Sequence, residues 1–214
     1  MDYSYLLHAK KYSEKDLLAF GFEKEKDGFH FTKKVSSYKI HIHIDCDVFD
    51  VWVEDLDFNE RCKEFEAINS RIPHIIQLQE EVEEIVQTVY KNCFNNSSFV
   101  PTIMQIAHDL FQTEPEFPFR DSTAIGLYTK EKHKWYGLIM SITYKQLGLP
   151  SSQKIDVINI KCTNETIKKY IDYVTFFPAY HMNKKHWMSI VLSDSLDYEL
   201  ITKLLKESYL LANK

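Results

Sequence analysis

No CxxC pair occurs in this chain, and its four cysteines, Cys46, Cys62, Cys93 and Cys162, stand far apart. The spacing argues against a metal knuckle or a disulfide framework and for reduced thiols in a packed core. No apolar run approaches the ~18 residues of a membrane helix, and the first residues are polar, without the apolar region of a secretion signal. The expected location is the cytoplasm, with no membrane contact. A GxSxG elbow, a Walker loop, a GxGxxG turn, an HExxH helix and an HxE motif with a cysteine pair are all missing. Those absences weigh against an enzyme without closing the matter, because catalytic triads assemble from distant positions. They give no reason to expect a cofactor. Arginine is scarce in the second half, where Arg120 stands alone. Arginine is the usual reader of guanine edges, so specific major-groove readout is not expected.

What is present is the composition of an ordered globular protein, 44% hydrophobic and 27% charged in 214 residues. That is enough for one large or two small domains with a real core. The net charge of −5 argues against wrapping nucleic acid by bulk electrostatics. Charge is unevenly spread: residues 1–99 hold 12 basic and 19 acidic side chains, a net −7, leaving 14 and 12, a net +2, for residues 100–214. Any polyanion site is therefore expected in the second half, as a patch and not a whole face.

The first half reads as a helix, hairpins and a second helix. Ser13 with Asp16 starts a helix that buries Leu17, Leu18 and Phe20 and closes at Gly21. Asp27-Gly28 signals a two-residue turn, with Phe29 and Phe31 beyond it. From Tyr38 to Asp45 the chain alternates, with Tyr38, Ile40, Ile42 and Ile44 on one side and Lys39, His41, His43 and Asp45 on the other. This is a half-buried strand, and Val48 to Val53 is its expected mate, ending in the acidic turn 54–57. His41 and His43, two apart beside Asp45, are spaced to hold a transition metal, although polar residues occupy that face of an exposed strand in any case. No other metal site is expected. From Pro73, apolar residues recur at spacings of three and four (Ile75, Ile76, Leu78, Val82, Ile85, Val86, Val89, Tyr90), predicting an amphipathic helix whose Glu80–Glu84 run is its solvated side.

Asn95–Ser98 is the best linker, dividing an amino-terminal α+β domain, 1–97, from a second domain, 98–214. Phe99 to Pro101 lead into a helix that buries Ile103, Ile106, Ala107, Leu110 and Phe111. Four strands are expected after it, at Ala124–Tyr128, Trp135–Tyr144, Lys154–Lys161 and from Trp187 onward. Thr163 caps a helix with Thr166–Tyr173 as its body, and a last helix, about Tyr198 to Leu211, turns Leu200, Ile201, Leu204, Leu205 and Tyr209 to the sheet. Within Phe176–Leu192, Pro178 pushes Phe177 into extended backbone, and Tyr180–His186 is a polar connection.

The PAYHMNKKHW segment, Pro178 to Trp187, resembles the signature of the MmcQ/YjbR family, as do NIKC, Asn159 to Cys162, and the ending Glu207-Ser208-Tyr209. Glu114 to Phe119 and Lys134-Trp135-Tyr136 match the family's opening more loosely. The resemblance covers about residues 106–211, and a longer subgroup of the family carries an amino-terminal extension like this one. It implies a frataxin/CyaY-like two-layer α+β fold for the second domain, and a DNA-binding role in which two protrusions grip the DNA.

The residues themselves leave several readings open. Lys130, Lys132, His133 and Lys134, with Trp135 at the edge, make either a wing on a phosphate backbone or a solvated hairpin tip. Lys184 and Lys185, with His181 and Asn183, suit a phosphate. The structural alternative has His181 and Asn183 satisfying backbone groups while Tyr180 and Trp187 fill core. His181 and His186, five apart around two lysines, suit a metal poorly. Asp109, Glu114 and Glu116 are too sparse for the acidic iron ridge of frataxin-like modules. Cys162 shares the phase of Ile158 and Ile160 and belongs in the core. The chain is thus expected to be a non-enzymatic module that binds double-stranded DNA or another polyanion weakly and salt-sensitively through these basic turns. The alternatives are a structural or protein-interaction module, as a homodimer or with another protein, and an enzyme with an interdomain pocket near His181.

Overall fold

The alternating segments of the chain build two antiparallel sheets, each in its own unit. The computed structural model describes residues 1–67, 70–95, 98–120 and 122–214. One unit is Met1–Asn96 with Pro150–Ser152; the other is Ser97–Leu149 with Gln153–Lys214. Of the linker expected at Asn95–Ser98, Asn96 and Ser97 lie outside the described residues.

The first unit contains α1 (Tyr5–Ala9), α2 (Glu14–Phe20), β1 (Glu23–Glu25), β2 (Gly28–Val35), β3 (Tyr38–Ile44), β4 (Phe49–Asp55), β5 (Glu60–Arg61) and α3 (Pro73–Cys93). Its strands form a meander in sequence order. Ser13 Oγ accepts the Asp16 N–H at 3.3 Å, and Gly21 closes α2 in the left-handed region, as the capping residues predict. Alternation along β3 leaves Ile40, Ile42 and Ile44 fully buried, with His41 and His43 on the other face. On α3 the stripe from Ile75 to Tyr90 is buried, except that Ile76 falls outside it and is exposed. Leu18, expected inside with Leu17, is 48% exposed on α2, and three further details depart from the expectation. The turn after β1 uses Lys26-Asp27, and Gly28 begins β2 at φ +142°, where a Cβ would lie 2.5 Å from the Ile44 carbonyl oxygen. Strand β4 continues to Asp55, into the segment expected to be a turn, although its alternation ends with the buried Val53. Finally, α1 and β5 are too short to show a periodic pattern, and Ser4 makes no side-chain cap to announce α1.

The second unit contains α4 (Val100–Phe111), β6 (Ile125–Tyr128), β7 (Trp135–Thr143), β8 (Lys154–Lys161), α5 (Asn164–Tyr170), β9 (Phe176–Pro178), β10 (Trp187–Val191) and α6 (Tyr198–Asn213). The strand order is β6-β7-β8-β10-β9. Ile103 and Ile106 of α4, Ile167 of α5 and Leu204 and Leu205 of α6 share one core with Ile158, Ile160, Met188 and Ile190 of the sheet. Among the described residues this sheet has five strands where four were expected. The addition is β9, whose Pro178 sits on an edge strand and so removes no ladder hydrogen bond from the sheet interior. Helix α5 stops at Tyr170, short of the expected Tyr173. Beyond it Asp172 Oδ1 accepts the N–H groups of Val174, Thr175 and Phe176 at 2.8–2.9 Å and turns the chain into β9. Leu110, expected inside, is 38% exposed. Among the described residues no helix is long and apolar enough to cross a membrane.

Candidate functional site

Register decides where the two basic turns emerge. The start of β7 lies beside the end of β8 (Gly137 opposite Ile160), and the start of β10 lies there too (Trp187 opposite Lys161). The connections that precede β7 and β10 therefore leave the sheet at the same end. One is the tip of the β6–β7 hairpin and the other the tip of the β9–β10 hairpin. Their midlines are three strand spacings apart, about 14 Å. Lys130, Lys132, Lys134, Lys184 and Lys185 are all exposed on these tips.

The first tip is closed by Thr129, whose N–H donates to the Lys134 carbonyl and whose carbonyl accepts the His133 N–H, both at 2.9 Å. Its hydroxyl accepts the Lys134 N–H at 3.2 Å. His133 takes a positive φ of 49° and stacks on Tyr128, with ring centroids 4.4 Å apart. Glu131 sits among the lysines, tied to α6: Tyr209 Oη donates to it at 2.9 Å and Asn213 Nδ2 at 2.8 Å. Those hydrogen bonds lower its pKa, so the tip carries a fixed negative charge. Tyr209 Oη also accepts the Lys130 N–H at 3.3 Å, and Lys132 Nζ donates to the Lys214 carbonyl at 3.0 Å.

The second tip is held by a closed ring of buried polar groups. The Tyr180 N–H donates to Ser189 Oγ at 2.9 Å, Ser189 donates to Asn159 Oδ1 at 2.5 Å, and Asn159 Nδ2 donates to the Tyr180 carbonyl at 2.8 Å. Asn159 and Ser189 face each other across β8 and β10 and are fully buried. Beyond this anchor His181 takes a positive φ of 54°, a conformation histidine adopts more readily than most residues. Asn183 Oδ1 accepts the Lys185 N–H at 3.0 Å, and its carbonyl accepts the N–H groups of His186 and Trp187. Asn183 thus satisfies backbone groups of the turn, at exposed positions and not the buried ones that the structural alternative had in view. Tyr180 and Trp187 are half-buried and not core. Gln146 Nε2 donates to Tyr180 Oη.

Sequence reasoning placed Asn159, Glu207 and Ser208 in family segments but missed their role in supporting the tips. Ser208 on α6 accepts the Lys161 N–H at 2.7 Å and donates to the Tyr136 carbonyl, bridging β7 and β8. Glu207 Oε1 accepts from Thr166 Oγ1 at 2.8 Å at the start of α5. The signal was available: Asn159, Ser189 and Ser208 are polar residues inside otherwise apolar stripes.

The other candidates fall elsewhere. Cys162 is core, with burial pushing its thiol up to about 12, and Cys93 is raised to about 11. His41 Nε2 lies 3.1 Å from Glu54 and its Nδ1 3.3 Å from His30 Nε2, while His43 is 3.9 Å from Asp45. Among the described residues no group of three or more histidine, cysteine or acidic side chains is placed to hold a metal. A cavity of about 370 Å³ in the first unit is lined by Tyr38, Asp55, Phe58, Glu60 and Arg61 among others, and not by His181.

Comparison with known proteins places this second unit. A family model described as YjbR matches residues 108–211. The uncharacterized protein YyaQ of Bacillus subtilis is 34% identical over 109 residues, 50% of this chain and 92% of YyaQ. A crystal structure of a protein from Pseudomonas syringae is 27% identical, with a TM-score of 0.50 over 52% of this chain and 97% of that one. A solution NMR structure from the same organism, also 27% identical, has a TM-score of 0.48 over 53% of this chain and 91% of that one.

Proposed function

The chain belongs to the YjbR family, and from that premise we propose that its second unit is a non-enzymatic module that contacts the phosphate backbone of a nucleic acid through two basic turns. The observation that carries this reading is the shared sheet end, from which both lysine-bearing tips project. Lysines are point charges suited to phosphate and carry little base information. A separation of about 14 Å is too wide for one small anion to bridge but natural for a polymer with regularly spaced phosphates. Glu131, held ionised at the first tip, offsets part of the charge and weakens the contact, while the exposed lysine–phosphate pairs make it salt-sensitive. The signature's buried polar ring serves the same end, because it fixes the backbone from which Lys184 and Lys185 extend. The enzyme alternative draws no support from His181, which is exposed and makes its ring contact with Tyr180.

The test is binding of a labelled oligonucleotide as a function of salt. If all five lysines contact phosphate, log K falls against log salt with a slope of roughly −4. Lys184→Ala with Lys185→Ala lowers that slope by about 2 units and weakens binding. Binding that is absent at low salt, or a slope unchanged in the variant, contradicts the reading.

A further inference from the structure

Strand β7 carries one residue more than its partner. Leu127 pairs with Gly137 but Tyr128 pairs with Trp135, so Tyr136 is the extra residue of a bulge. A bulge re-aims the side chains beyond it. Tyr136 turns into the helix layer, against Phe111 of α4 and Tyr209 of α6. Trp135 turns to the opposite face, where its ring lies 6.0 Å from that of Tyr128. Gly126 makes room for both rings: a Cβ there would lie 2.7 Å from the Tyr128 ring and 3.3 Å from Trp135 Nε1.

The same face continues across the sheet. On β8, Lys161 is in phase with Asn159, and its registered neighbour on β10 is Trp187. Tyr128, Trp135, Lys161 and Trp187 thus form a row over four adjacent strands, each side chain half-buried. Phe119, 44% exposed, stands edge-on against Trp135. The two tryptophans are two strand spacings apart, about 10 Å. The row lies at the sheet end from which both lysine tips project.

A duplex keeps its bases stacked on each other and needs only the lysines. Half-open aromatic rings between lysines suit unpaired bases, every one of which has a π-face to stack. We propose that this row is a stacking platform, and that the ligand of the site is single-stranded nucleic acid, with its backbone on the two tips and its bases on Trp135 and Trp187. The inference rests on the phosphate-contact reading above and goes beyond it in naming the strand state.

The full chain has three tryptophans, so a Trp52→Phe background makes selectively excited tryptophan fluorescence report on the row alone. This protein is titrated with a single-stranded deoxythymidine oligomer and with a duplex of equal length at the same salt. The oligomer is expected to bind roughly tenfold more tightly than the duplex and to quench the fluorescence. Trp187→Ala should weaken oligomer binding by roughly tenfold, Trp187→Phe should restore most of it, and duplex binding should change little in either. If the alanine variant does not fold, the quench and the phenylalanine variant decide. Duplex binding as tight as oligomer binding, sensitive to Lys184 and Lys185 but without quench, overturns the platform and leaves the phosphate reading standing. No binding of either nucleic acid removes both.

Discussion

Asn159 sits in mid-strand with both ends of its amide in use, one toward Ser189 and the other toward the Tyr180 carbonyl. Replacing it by alanine leaves the Tyr180 carbonyl without its donor and the buried Ser189 O–H without its acceptor, a loss of about 1–3 kcal/mol. Urea unfolding of Asn159→Ala should show that loss as a lower midpoint with an unchanged slope; an unchanged midpoint would mean that the ring does not hold the turn. Ser208→Ala should cost a similar amount, about 1–3 kcal/mol, because the Lys161 N–H and the Tyr136 carbonyl lose their bridge. At this scale the sequence was only partly legible. It marked Asn159 and Ser208 as members of family segments, but their partners lie 21 and 72 residues away, and no local pattern reports a contact of that range. Ser13, Gly21 and Thr163 were legible because a cap is satisfied within three or four residues.

At the scale of elements, periodicity succeeded where an element was long and half-buried. The stripe on α3 and the alternation on β3 are the plain cases. It failed at the bulge in β7, where one extra residue reverses the pattern, and at β9, where three residues are too few to show one. The open face of the first sheet offers a test of its own. The Glu54 carboxylate can only accept, so His41 carries its proton on Nε2 and accepts on Nδ1 from His30, whose other nitrogen lies 3.5 Å from Glu25. Burial holds the His41 pKa below its ordinary 6.5, with Lys39 and His30 adding to the effect and Glu54 opposing it. The unfolded chain therefore takes up a proton near pH 6.5 that folded His41 refuses. This contribution to stability is present above that pH and is lost as the pH falls through the lower folded value. The melting temperature should drop between pH 7.5 and 5.5, and His41→Gln should flatten that dependence; an equal drop in the variant would contradict the assignment to His41. On the same sheet, Gly28→Ala combines a left-handed φ with a close approach to the Ile44 carbonyl. The expected loss is at least about 1–3 kcal/mol in chemical unfolding.

For the whole molecule, charge partition and register point the same way. The acidic excess lies in residues 1–99 and the basic excess after them, and in the second unit five lysines gather at one end of a sheet whose order is β6-β7-β8-β10-β9. The strand segments and the lysines were readable from sequence; the strand order that unites the two tips was not, because antiparallel pairing between distant segments leaves no local trace. The most direct measurement is an amide chemical-shift titration of the full chain with an oligonucleotide at low salt. The account predicts that the perturbed amides cluster at 129–135 and 180–187, with further shifts near Lys161. Binding that perturbs only one turn, or that perturbs neither, would contradict it.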